Sequence, residues 1–338
     1  MPADMTPADM TPAELIARLP RDRLLPLPQP RRADGALRRT GVEIEFAGLT
    51  QRAAAEVARG LFGGKIAAQD DHAVTLEGSA IGDVEVELDS ALAKKSGAVA
   101  ETLLDMTRAV IPVEIVTAPL SPDDLARIDR LIDALRAAGA QGSRDGALFG
   151  FGLHLNPEVA AETAAAIVPV ARAYALIEDW LRAADPVDPS RRLTPFVDPW
   201  PRAFVDLIAA EGADWSLDDL TGAYLALTPT RNRGLDLLPL LEHLDPERVR
   251  AALPAGAAKG GRPTWHYRLP EARLGDPGWS AAYEWNRWVL VERVAAEPAL
   301  LAALGEGWAA HRASLTTLRP DWAGDAGALL AEAPIWGG

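Results

Sequence analysis

Residues 41–46 read GVEIEF, and residues 82–89 read GDVEVELD. In a β-strand successive side chains point to opposite faces. Val42, Ile44 and Phe46 therefore share one face, and Glu43 and Glu45 the other. The same rule sets Glu85, Glu87 and Asp89 against Val84, Val86 and Leu88. It recurs in PVEIVTAPL (112–120), where Glu114 opposes Val113 and Ile115, and in ALFGFGLHLN (147–156), where His154 and Asn156 oppose Leu153 and Leu155. In PTWHYRLP (263–270), His266 and Arg268 oppose Trp265, Tyr267 and Leu269. Such a chain must build a sheet with one apolar face and one face rich in carboxylates and imidazoles.

That second face raises a physical question. Glu and Asp are poor strand residues, and like charges side by side on a sheet repel. One reading is a solvated face, which antiparallel sheets often have. The other is a face that holds a cation. The chain contains no cysteine, so thiolate metal sites and disulfides are excluded. Carboxylates, imidazoles and carbonyls suit a hard divalent ion such as Mg²⁺ or Mn²⁺. A formal charge of −14 argues against a nucleic-acid or anionic-membrane partner.

Residues 1–36, which repeat PADM and run through RLPRDRLLPLPQPRR, read as a Pro/Arg-rich flexible tail with a short helix near 11–18. Residues 37–338 read as one domain. Strands are expected at 41–49, 64–69, 73–78, 82–89, 112–120, 147–156 and 263–270, and helices at 51–62, 98–110 and 121–140. The region 157–254 is almost wholly helical in pattern, as is 279–315. Strands interleaved with helices, followed by an α-rich section, give an α+β fold class. The most apolar stretch, 159–181, is interrupted by Glu162, Arg172, Glu178 and Asp179, so it reads as a packed helix, not a membrane span. No apolar run follows a basic start at the N-terminus, and a cytoplasmic, soluble protein is expected.

Other positions offer chemistry, each beside a plainer reading. Arg231 and Arg233 in TPTRNRG (228–234) can clamp a phosphate or carboxylate, or lie solvated at a helix end. Lys94 and Lys95 can reach phosphate or sit in a solvated turn. Trp265, Trp279, Trp285 and Trp288 can wall a ligand or pack the terminal helices. RRLTPFVDPWP (191–201) is long enough for a lid or a rigid connector. GLFGGK (60–65) lacks P-loop spacing, and there is no Gly-x-Gly-x-x-Gly, nucleophile elbow or His-Glu-x-x-His.

The blocks GVEIEF, VELDSAL, VEIVTAPL, GFGLHLN and WHYRLP, in that order, resemble the amidoligase family of ATP-dependent carboxylate–amine ligases. The resemblance implies a glutamine synthetase-like fold, a curved antiparallel sheet whose concave face holds ATP, Mg²⁺ (or Mn²⁺) and a carboxylate substrate. It makes Glu43 and Glu45 ligands to two different cations, with Asp89 or Glu87, and Glu114, completing the acidic set. It makes His154 a contact to metal or acyl substrate, Asn156 its companion on the substrate side, and Arg268 a phosphate contact. His266 stands where the family's last strand usually carries Glu, which puts one metal site in question. The expected activity is amide formation between a small-molecule or peptide carboxylate, γ-glutamyl among them, and an amine, through an acyl phosphate. A degenerate member that binds nucleotide or peptide without turnover is the alternative outside catalysis. A phosphotransferase of related fold is the alternative within it.

Overall fold

The computed structural model describes residues 10–68, 73–88, 112–146, 150–188 and 197–337. Six strands, β1 (Thr40–Phe46), β2 (Lys65–Ala68), β3 (Ala73–Ser79), β4 (Gly82–Leu88), β5 (Val113–Thr117) and β6 (Leu153–Pro157), form one open sheet. Their order is β2-β3-β4-β5-β1-β6, and every neighbouring pair is antiparallel. Val42, Ile44, Phe46, Val84, Val86, Ile115, Leu153 and Leu155 are all buried on one face. Each contributes roughly 1.5–3 kcal/mol by leaving water. That sum fixes the register, because a slip of one residue would carry Glu43 and Glu45 into the core. The helix Gln51–Phe62 packs on β3, β4 and β5, and the helix Ile128–Ala137 packs beside it.

The helical section is organised around the helix Ala164–Ala184, against which Arg202–Glu211, Ala281–Ala295 and Arg319–Ala331 pack. The tryptophans at 265, 279, 285 and 288 are buried within this assembly, so they are core residues. Among the described residues no helix is long and apolar enough to cross a membrane.

Three expectations need correction. Residues 10–36 are not a loose tail. The helix Pro12–Ile16 opens on a Thr11–Glu14 capping box, and Leu15, Ile16, Leu19, Leu25 and Leu27 are buried. Asn286 accepts the Leu25 N–H at 2.7 Å and donates to the Pro20 and Arg23 carbonyls at 2.8 and 2.9 Å. A buried side-chain amide thus serves the backbone of an irregular segment that no ladder could satisfy. The region 121–140 holds two helices, Pro122–Leu125 and Ile128–Ala137, in place of one. Residues 263–272 run along the outer edge of β6 through isolated bridges only, such as Leu155↔Tyr267 and Glu158↔Thr264. Pro263 and Pro270 lack an N–H, and the Arg268 and Leu269 N–H groups both turn to the Gly234 carbonyl, so the ladder breaks. The helix expected at 98–110 lies outside the described residues.

Candidate functional site

Register decides which polar side chains meet. On the face away from the core, Glu43 lies directly opposite His154 of β6, and Glu45 opposite Glu114 of β5. Glu114 is in turn opposite Glu87 of β4. Glu45, Glu114 and Glu87 therefore form a row across three adjacent strands spaced about 4.8 Å apart. Beyond β6, the bridge Leu155↔Tyr267 sets Asn156 beside His266 and His154 beside Arg268.

Hydrogen bonds tie the row's end together. His154 Nδ1 lies 2.7 Å from Glu43 Oε2, and Asn156 Nδ2 donates to Glu43 Oε1 at 2.8 Å. His266 Nδ1 lies 2.5 Å from Asn156 Oδ1. Glu45 Oε2 accepts the Gly152 N–H at 2.7 Å, and its Oε1 lies 3.8 Å from His154 Nε2. The two imidazoles meet edge to face with centroids 5.4 Å apart. A carboxylate only accepts, so it orients the Asn156 amide with Oδ1 toward His266. Both histidines then carry their proton on Nδ1.

Burial works against charge on Glu43, yet the hydrogen bond from His154, the positive potential of His266 and His154, and the Asn156 amide hold its carboxyl well below the usual range. Burial pushes His266 the other way, well below an ordinary histidine, helped by the Arg268 charge and opposed by Glu43. The hydrogen bonds from His154 and Asn156 favour the ionised form of Glu43.

The arginines gather beside this network. Arg231 Nε donates to Asp236 Oδ2 at 3.1 Å, and Arg268 donates to the Arg231 carbonyl at 2.5 Å. Arg233 donates to Thr228 Oγ1 at 2.7 Å and to the Pro199 carbonyl at 2.8 Å. Asp236 is fully buried, and burial raises its carboxyl against the pull of Arg231 and Arg268. Gly234 lets this loop seat closely, because a Cβ there would stand 2.4 Å from the Tyr174 hydroxyl.

Of the residues singled out in the sequence, Glu43, Glu45, Glu114, His154, Asn156 and His266 come together on one face, with Arg231 and Arg268 at its border. Asp89 and Lys94 lie outside the described residues, as do 191–196 of the lid candidate. Glu87, in the same alternation as Asp89, is the acid that the ladder sets opposite Glu114. Asp236, the anchor of Arg231, gave no signal in sequence, since it interrupts an apolar run without periodicity.

Glu45, Glu114 and His154 can each bring a ligand atom within 4.8 Å of the others, and so can Glu43, His154 and His266. Ligand atoms around one Mg²⁺ sit about 2.1 Å from the ion, hence up to about 4.2 Å apart. Glu45 Oε1 and His154 Nε2, 3.8 Å apart, fall within that span, and carboxylates with an imidazole are donors that suit a divalent cation. No curated protein and no solved structure matches the chain. A family model described as "Putative amidoligase enzyme" matches residues 36–290, which span the whole sheet, the arginine loop and the 263–272 segment. On that match the chain belongs to the amidoligase family.

Proposed function

We propose that this protein is an ATP-dependent ligase that joins a carboxylate to an amine. The observation that carries the reading is the meeting, on one sheet face, of a cation-donor set, Glu45, Glu114 and His154, beside a loop of arginines. Glu45, Glu114 and His154 would hold Mg²⁺ or Mn²⁺, which when bound neutralises charge on the polyphosphate. Arg268, Arg231 and Arg233 bind phosphate oxygens, with Arg231 kept in place by Asp236. Phosphoryl transfer needs alignment and charge stabilisation more than a protein nucleophile, and these groups supply both.

The γ-phosphoryl passes from ATP to a substrate carboxylate, which breaks the bond to ADP and forms an acyl phosphate. The amine nitrogen then attacks the acyl carbon, the bond to phosphate breaks, and an amide remains. The incoming ammonium must first lose a proton, and Glu87, the carboxylate of the row outside the cation-donor set, takes it. The carboxylate substrate is a small molecule or peptide of γ-glutamyl type.

Nucleotide binding without turnover is the second reading, favoured by one observation. His266 is buried and neutral, and one of its nitrogens is spent on Asn156. Phosphate release from ATP with Mg²⁺, across a panel of carboxylate–amine pairs, separates the two. The ligase reading expects particular pairs to stimulate release, and Glu45→Ala and Arg268→Ala to abolish it. ATP binding with no pair giving turnover would favour the second reading.

A further inference from the structure

Glu43 and Glu45 look interchangeable in GVEIEF, but their surroundings differ. Both oxygens of Glu43 are engaged within the protein, one by His154 Nδ1 and one by Asn156 Nδ2. Glu45 gives one oxygen to the Gly152 N–H and turns the other toward His154 Nε2 at 3.8 Å. That separation is too long for a hydrogen bond, and short enough for one cation with bonds of about 2.1 Å to touch both atoms.

We propose that Glu43 is a positioning residue and not a cation ligand: it locks His154 as the Nδ1–H tautomer so that Nε2 faces Glu45 and Glu114. Through Asn156 the same carboxylate sets the tautomer of His266. The inference rests on the cation-binding reading given under Proposed function. A metal-ligating histidine whose second nitrogen donates to a carboxylate is a recurrent arrangement, and loss of such a partner typically lowers metal affinity about 10- to 100-fold.

The network makes an unusual demand on one substitution. Glu43→Gln keeps the shape but replaces one acceptor with an NH₂ donor. If the NH₂ faces His154 Nδ1, that nitrogen must become an acceptor and the proton moves to Nε2. If it faces Asn156, the asparagine amide flips, its NH₂ meets His266 Nδ1, and His266 must move its proton instead. Either way one imidazole changes tautomer.

Long-range ¹H–¹⁵N spectra of the histidine-labelled full chain test this, since protonated and bare ring nitrogens resonate far apart and the chain has only 5 histidines. The wild type without cation is expected to show His154 and His266 protonated on Nδ1. Titration with MgCl₂, with and without a non-hydrolysable ATP analogue, is expected to shift His154 Nε2 and leave its Nδ1–H signal in place. Glu43→Gln is expected to convert one of the two imidazoles and to weaken the Mg²⁺ response at least 10-fold. Loss of the Nδ1–H signal on Mg²⁺ binding would overturn the inference alone, because Glu43 would then have left His154 for the ion. No Mg²⁺ response at all in the wild type would overturn the cation reading and this inference together. The wild-type titration stands even if the variant does not fold.

Discussion

The molecule keeps its carboxylates in two different ways. In the helical section and along its seam with the sheet, every buried acid among the described residues has its own guanidinium. Glu178 meets Arg182 at 2.8 Å, Asp179 meets Arg319 at 2.6 Å, Glu284 meets Arg287 at 2.6 Å and Glu292 meets Arg38 at 2.6 Å. Asp236, Glu242 and Glu271 follow the same rule with Arg231, Arg250 and Arg273 at 3.0–3.1 Å. On the polar face of the sheet the partners change in kind. Glu43 has an imidazole and an amide, and Glu45 a backbone N–H. Glu114 is flanked in register by Glu45 on one side and Glu87 on the other. On the sheet face the register instead sets three acids, Glu45, Glu114 and Glu87, side by side on adjacent strands.

Substitutions should therefore act on the two regions with very different size. The largest effect is expected from Arg287→Met, which leaves fully buried Glu284 without its guanidinium. Breaking a buried pair in this way costs about 3–5 kcal/mol, readable as a lower urea midpoint. Next comes the cation itself. Mg²⁺ or Mn²⁺ at 100 times its Kd should raise the unfolding free energy by about 2.7 kcal/mol, and Glu45→Gln should remove that gain. Gly234→Ala should cost about 1–3 kcal/mol by overpacking against Tyr174 and should loosen ATP binding through the arginine loop. The smallest effect is expected from Glu114→Gln, which should change the stability of the cation-free protein by no more than about 0.5 kcal/mol while it abolishes turnover. A loss of several kcal/mol on Glu114→Gln would place the sheet face in the same class as the helical section.

Much of the sheet was legible because burial writes itself into strands with period two. Val42, Ile44 and Phe46 declare the core face, and Glu43 and Glu45 follow by elimination. The gathering of Glu114, His154, Asn156 and His266 on that same face was legible for the same reason. Strand order was not, because alternation says which way a side chain points and nothing about which strand lies alongside. The different circumstances of Glu43 and Glu45 depend on such pairing, one facing His154 and the other Glu114. The N-terminal segment was misread because its prolines and arginines describe local stiffness and charge. What fixes it is Asn286, 261 residues from the Leu25 it bonds. The arginine loop was visible as a charge pair, but the buried Asp236 that orients it was not.

The claim on which the rest depends is that the acidic face is kept for a divalent cation. Mn²⁺ binding to the full chain, followed by paramagnetic resonance with and without ATP, tests it most directly. Saturable binding that Glu45→Gln weakens by an order of magnitude or more, and that Arg287→Met leaves in place in the fraction still folded, is the expected result. Equal and weak Mn²⁺ uptake by the wild type and Glu45→Gln, whether or not ATP is present, would contradict it.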